Sequence, residues 1–202
     1  LFDTDVLLSE LRTNAKTGKT FQIYDEILPA MVRRGRVAAY VHEGYWAYSR
    51  SLETYFKANM DCLGKDPVID LEAWELHTNH DIGRIGDHPP VLAGSESEIN
   101  NCIVSPGCVV LGKVINSVLS PMVFVDQGAE IVDSVILEGA RIGKNSTIRN
   151  CILDKFVSIG NHVRIGYDCS KTKPQQGIPG LLECGLTVVG KKPQIAAAMT
   201  VG

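Results

Sequence analysis

No stretch of the chain approaches the ~20 consecutive apolar residues that a membrane-spanning helix needs, and no signal-peptide pattern stands at its start. An excess of charge of either sign is lacking as well. There are 20 basic and 23 acidic side chains, a formal net charge of −3 and a pI of about 6.0. No bulk field therefore points to nucleic acid or to an anionic membrane. The six cysteines (62, 102, 108, 151, 169 and 184) contain no Cys-x-x-Cys pair. With no secretory context they read as free thiols, and the expected compartment is the cytoplasm. At 202 residues there is room for one or two domains.

Helical periodicity is missing from the stretch Val114–Ile165, and a different repeat takes its place. Written in rows of 17, the rows starting at Val114, Ile131 and Ile148 nearly superimpose, and Ile165 opens a fourth. Aliphatics recur in three columns: Val114/Ile131/Ile148, Leu119/Ile136/Leu153 and Val125/Ile142/Ile159. The steps within a row are 5, 6 and 6 residues, which no helix satisfies. Three short strands per coil do, each sending one aliphatic inward. Asp133, Gly139, Gly143, Asn150 and Gly160 stand where the chain must bend. The pattern predicts a hexapeptide-type parallel β-helix whose coils bury their aliphatics against one another. An earlier coil opens at Ile99 and is read against the row beginning at Val132, with one corner shortened. After Ile165 the rhythm stops through a polar loop, Cys169–Cys184, and the six-step returns at Val189, Ile195 and Val201. Cys102 and Cys151 share a column three coils apart. At ~4.8 Å per stacked strand that is roughly 14 Å, too far for a disulfide.

Ahead of the repeat, residues 1–63 read as α/β. A helix is expected near 4–14, capped by Asp3 or Thr4, and a second near 24–34 that Pro29 makes irregular at its start. A strand is expected over 36–42. Ser51 caps a third helix in which Leu52, Tyr55, Phe56 and Met60 share a face. So little sheet against three helices cannot close a core. Together with Leu1 at the start, this suggests a piece of a longer chain. Residues 64–92 read as a linker with Pro67, Pro89 and Pro90, and with one helical turn at Leu71–Leu76. Its histidines 77, 80 and 88 are more simply surface residues than a metal cluster.

Four motifs then occur in order: Phe2-Asp3-Thr4-Asp5-Val6-Leu7, Asp25-Glu26-Ile27-Leu28-Pro29, Gly44-Tyr45-Trp46, and Tyr55-Phe56-Lys57-Ala58-Asn59-Met60. Followed by a proline-containing linker and the repeat, they resemble the C-terminal half of ADP-glucose pyrophosphorylase (glucose-1-phosphate adenylyltransferase) over nearly the whole chain. The resemblance implies the C-terminal part of a nucleotidyltransferase α/β domain (1–63), a linker (64–92) and a left-handed parallel β-helix (93–202). It implies ATP and glucose 1-phosphate as substrates, Mg²⁺ as the catalytic ion, and a tetrameric assembly controlled by effectors. The β-helix would serve oligomerisation, in a homo- or hetero-oligomer, and allosteric control by a sugar phosphate. The family's Gly-Gly-x-Gly-Thr-Arg-Leu loop and its Glu-Lys-Pro lysine are not in these residues and are expected upstream of Leu1.

One site segment departs from the family's pattern. Where the family usually reads Gly-Tyr-Trp-x-Asp-Val-Gly-Thr, with the Asp as a metal ligand, this chain has Gly44-Tyr45-Trp46-Ala47-Tyr48-Ser49-Arg50-Ser51. Tyr48 replaces the Asp, and a neutral phenol is a poor Mg²⁺ ligand. A non-catalytic regulatory subunit is therefore an alternative to a catalytic one. Glu26 matches the acidic position of the family's Glu/Asp-Ile-Ile-Pro motif and is the candidate sugar-site residue. Its structural alternative is a carboxylate favoured by a helix start. A β-helix acyltransferase is a further alternative, with His162 as its catalytic histidine. However, His162 shares its column with the ordinary corner residues Asn145 and Gly128, and that reading leaves residues 1–63 unexplained. Of two basic groups that could meet an effector anion, Arg33/Arg34/Arg36 is more simply favoured by a helix C-terminus, and Lys171/Lys173/Lys191/Lys192 is a weak candidate.

Overall fold

Three aliphatics per 17 residues demand three strands per coil, and three parallel faces result. A computed structural model describes residues 1–17, 20, 22–35, 37–75, 88–166, 185–191, 194–197 and 199–201. The first face stacks β1 (Leu92–Ala93), β4 (Val109–Val110), β7 (Phe124–Val125), β9 (Arg141–Ile142), β11 (Ser158–Ile159) and β14 (Gln194–Ile195). The second stacks β2 (Glu98–Asn100), β5 (Lys113–Ile115), the first half of β8 (Glu130–Ile136), the first half of β10 (Thr147–Leu153), β12 (Arg164–Ile165) and β15 (Thr200–Val201). The third stacks β3 (Ile103–Val104), β6 (Val118–Leu119), the second halves of β8 and β10, and β13 (Thr187–Val189). All pairings are parallel.

The register reproduces the three columns of the sequence. Val114, Ile131, Ile148 and Ile165 stack in one, Leu119, Ile136, Leu153 and Val189 in another. Val110, Val125, Ile142, Ile159 and Ile195 form the third. These residues are the core of the solenoid and are almost wholly removed from water. The expected return of the rhythm at Val189, Ile195 and Val201 holds, since they pair with Leu153, Ile159 and Ile165. One register differs from expectation. Ile99 pairs with Val114, and so stacks below Ile131 rather than Val132. Matching Asn100-Asn101 to Asp133-Ser134 is off by one, because Asn101, Asn116, Asp133 and Asn150 are the true corner column.

That corner is left-handed in each of four successive coils: Asn101, Asn116, Asp133 and Asn150 have φ of 52, 45, 47 and 45°. Asn and Asp tolerate this region better than other side chains. A second corner runs Gly107, Met122, Gly139, Phe156, and a third Gly128, Asn145, His162, all with positive φ. The left-handed residue turns its N–H back toward the preceding coil. Asn116 donates to the Asn100 carbonyl, Gly139 to Pro121, Asn145 to Gln127 and His162 to Lys144, at 2.8–3.1 Å. Flanking amides mostly point toward the next coil, as Phe124 does to Ala140 and Arg141 to Val157. Gly143 and Gly160 are needed for a different reason. Their φ is not left-handed, but a Cβ on Gly143 would lie 2.6 Å from the Gly160 carbonyl, and one on Gly160 2.6 Å from the Ala197 nitrogen.

The Asn/Asp corner is also a side-chain ladder. Asn101 Oδ1 accepts from the Gly64 N–H at 2.7 Å, Asn101 Nδ2 donates to Asn116 Oδ1 at 2.7 Å, and Asn116 Nδ2 donates to Asp133 Oδ1 at 2.5 Å. Asn150 Nδ2 donates onward to the Gly185 carbonyl at 2.7 Å. An ionised Asp133 has no proton to pass to Asn150. Asp133→Asn supplies one and keeps a residue type suited to the left-handed backbone. It is expected to stabilise the protein by about 0.5–1 kcal/mol, visible as a higher urea midpoint.

Contacts divide the chain into two units, Leu1–Gly44 and Tyr45–Gly202. In the first, α1 (Thr4–Thr17) is capped by Asp3, whose Oδ1 accepts from the amides of Asp5 and Val6 at 3.1 Å. A π-helical turn, Ile23–Ile27, leads directly into α2 (Leu28–Arg33), with Pro29 in its first turn. Pro29 lacks an N–H, so it is tolerated only at such a start, and the expected irregularity is this π turn. The strand expected over 36–42 is absent from Val37–His42. No ladder forms there among the described residues, and a lone strand is not stable by itself.

The second unit contains α3 (Leu52–Met60) as well as the solenoid. Ser51 caps it in a reciprocal box with Thr54. Its Tyr55, Phe56 and Met60 pack on Val135, Ile152 and Leu186, which lie outside the solenoid wall and are 1–3 % exposed. This is why α3, grouped with the first segment in the sequence, belongs with the β-helix. After it, Asp70 caps the turn over residues 71–75, with Oδ1 accepting from Glu72 and Ala73; Leu76 lies outside the described residues. Among the described residues no helix is long and apolar enough to cross a membrane.

Candidate functional site

The segment Tyr45–Asp61 holds the departure from the family motif together with a carboxylate, Asp61, that accepts from two side chains. Tyr45 Oη donates to Asp61 Oδ2 at 2.9 Å. Lys57, one turn earlier on α3, donates to both Asp61 oxygens at 2.8 and 2.7 Å. The Tyr45 ring meets Trp74 edge-on at 6.1 Å. The Lys57 ammonium holds the Asp61 carboxyl below its ordinary range, with Tyr45 adding to the effect and burial opposing it. The Tyr45 phenol is pushed up, first by burial and then by Asp61.

A depressed folded-state carboxyl stabilises the protein above its unfolded value, about 4, and this contribution is lost as pH falls through the lower folded value. The stability difference between the parent and Lys57→Met is therefore expected to shrink between about pH 5 and pH 3. Urea midpoints of both proteins across that range check it; a difference independent of pH would reject the assignment.

Trp46, Tyr48 and Arg50 alternate along the same segment. The Trp46 and Tyr48 rings stack at 5.8 Å with 25° between planes. Arg50 Nη1 donates to Tyr48 Oη at 3.1 Å, and its guanidinium stands 5.7 Å from the ring centre. The oxygen at position 48 is thus a phenol bonded to a cation, which does not fit Mg²⁺. Trp46 is 72 % exposed and Tyr48 47 %. The alternation Trp46-x-Tyr48-x-Arg50 is visible in the sequence, but no residue-type rule says that such a trio will stack.

Glu26 lies in the first unit, on the π turn, and its Oε1 accepts from the Thr20 N–H at 2.8 Å. Arg34, at the end of α2, pairs with Glu10 at 2.7 Å. This hydrogen bond raises the Arg34 pKa further. Arg36, Lys171, Lys173 and Lys192 lie outside the described residues. His162 occupies the left-handed corner position of Gly128 and Asn145, at φ 58° against 70 and 56°. His77 and His80 lie outside the described residues, and among the described ones no three His, Cys, Asp or Glu side chains are grouped to hold a metal. Cys62, Cys102, Cys108 and Cys151 are free thiols.

A parallel solenoid with a 17-residue coil and left-handed corners places the chain among hexapeptide-repeat proteins. Residues 91–202 match the family described as GlmU-like, C-terminal hexapeptide, and the chain belongs to it. Across its full length it is also similar to the C-terminal half of glucose-1-phosphate adenylyltransferases. The one from Acetivibrio thermocellus is 32 % identical over 206 residues, covering 100 % of this chain and 47 % of that protein. Those from Parafrankia sp. and Photobacterium profundum are 31 % and 30 % identical, covering 97 % and 96 % of this chain and 51 % of each relative. The chain spans about half the length of the curated relatives it matches.

Proposed function

We propose that the chain works as the C-terminal part of a glucose-1-phosphate adenylyltransferase subunit. Such a subunit joins ATP and glucose 1-phosphate into ADP-glucose and pyrophosphate for glycogen or starch synthesis in the cytoplasm. The observation that carries the reading is the match of the whole chain, helices and solenoid alike, to the C-terminal halves of those enzymes. In it, the β-helix contributes oligomerisation and the response to a sugar-phosphate effector. Substrate phosphates are held by the glycine-rich loop and lysine that these 202 residues do not contain. Glu26 is the one substrate-side residue we assign here.

A second reading, a regulatory subunit without catalysis of its own, is favoured by the Tyr48–Arg50 pair at the expected carboxylate position. The acyltransferase alternative gains nothing from His162, whose corner geometry suffices to explain it. The test is intact mass beside pyrophosphate release from ATP and glucose 1-phosphate with Mg²⁺. A mass near 22.0 kDa without turnover removes the enzyme assignment for this chain. ATP-selective turnover by a protein about twice that size supports it and removes the idea that Tyr48 abolishes activity.

A further inference from the structure

We propose that Asn101, at a corner of the solenoid, is a positioning residue for the segment Tyr45–Ser51, acting through the turn after α3 and through Asp61. The amides that follow α3 close back on its own carbonyls: Asp61 donates to Lys57 at 2.8 Å, Cys62 to Asn59 at 3.3 Å and Leu63 to Met60 at 2.9 Å. The next amide does not. The Gly64 N–H leaves the helix and donates to Asn101 Oδ1 at 2.7 Å. Three residues back, Asp61 is the acceptor that holds Tyr45 Oη at 2.9 Å. Tyr45 is followed directly by Trp46, which stacks on Tyr48. A line of hydrogen bonds and one short turn thus runs from the solenoid corner to the segment in which Tyr48 stands.

The corner ladder has a direction, and Asp133 sets it. An ionised carboxylate only accepts, so Asn116 turns Nδ2 toward Asp133 and Oδ1 toward Asn101. Asn101 then gives its Nδ2 to Asn116 and presents an oxygen to the turn, the atom that the Gly64 N–H requires. Packing of Tyr55, Phe56 and Met60 holds α3 against the solenoid wall, but apolar packing is non-directional. A hydrogen bond is directional, and this one fixes the end of the helix from which Asp61 reaches Tyr45. Lys57, on α3 itself, moves with Asp61 and cannot replace that tie. The inference concerns order in this segment and holds for a catalytic and a regulatory subunit alike.

Near-UV circular dichroism of the full chain tests it. Trp46 and Trp74 are the chain's two tryptophans, so Trp74→Phe leaves Trp46 as the reporter and keeps a ring beside Tyr45. In that background Tyr45→Phe and Asn101→Gly are each expected to remove about half of the Trp46 signal, since losing one ordinary hydrogen bond shifts a local opening about fivefold. Glycine suits a left-handed corner, as at Gly107 and Gly128, so Asn101→Gly keeps the solenoid and its far-UV spectrum. Asn101→Asp retains the acceptor for Gly64 and is expected to retain the signal. The double variant, Tyr45→Phe with Asn101→Gly, is expected to lose no more than the larger single loss, because both changes cut one line. A parent-like Trp46 signal in Asn101→Gly overturns the proposal. So does an equal loss in Asn101→Asp, or losses that add in the double variant. A role confined to the corner would lower the melting temperature of Asn101→Gly and leave Trp46 unmoved.

Discussion

Ile136→Ala is expected to cost about 2–5 kcal/mol of stability. Ile136 is fully buried, directly between Leu119 in the coil before and Leu153 in the coil after. Truncation removes apolar area from both contacts. The void cannot collapse, because the coils are held apart by backbone hydrogen bonds at the fixed spacing of parallel strands. The same column lines the wall on which α3 packs, so loosening reaches beyond one coil. Lys155→Ala is the matched control. Its ammonium lies 3.8 Å from Glu138 with both side chains more than two-fifths exposed, and the expected change is within about 0.5 kcal/mol. Urea unfolding of both variants decides the matter, and equal midpoints would contradict the column.

The second large effect is expected from a hydroxyl. Ser134 Oγ donates to the Val132 carbonyl at 2.7 Å and accepts from the Cys151 N–H at 3.3 Å, closing the backbone gap that the left-handed Asp133 opens. Ser117 does the same one coil earlier, donating to Ile115 and accepting from the Ser134 N–H. Ser134→Ala leaves one carbonyl and one amide buried without that partner. At about 1–3 kcal/mol per unsatisfied group, the expected loss is about 2–6 kcal/mol. Ser134→Cys should lose less. Cys102 occupies the equivalent position and its thiol donates to the Asn100 carbonyl at 3.1 Å. Thermal melting of the two variants distinguishes a hydrogen-bonding role from simple packing, which would rank the roomier alanine as the milder change.

The three inward columns were legible because each coil repeats one physical demand, an aliphatic pointing at the axis, at fixed spacing. The outward residues Val135 and Ile152 were not read as buried, although their column repeats just as regularly. Its cover, α3, comes some 75 residues before Val135, and local pattern cannot foresee a helix from so far away. Val37–His42 failed in the opposite direction. Its side chains suit a strand, but strand formation depends on a neighbour that composition does not reveal. At the candidate site, the replacement of a carboxylate by Tyr48 was plain from the motif. The stack on Trp46 and the tie to Arg50 were not, since alternation places the three residues on one side of the segment without saying that they touch.

The corner Gly107, Met122, Gly139, Phe156 gives the solenoid a grain coarser than one coil. The Phe156 ring covers Gly139, at 2.6 Å from where a Cβ would stand, and Met122 lies over Gly107 in the same way. Bare and bulky residues therefore alternate along the axis. Excising one 17-residue coil would leave every aliphatic column in register, yet it would set Phe156 directly above Met122, with no bare glycine to receive the ring. Excising two coils would restore the alternation. For shortening, lengthening or shuffling this domain, the interchangeable part is the pair of coils.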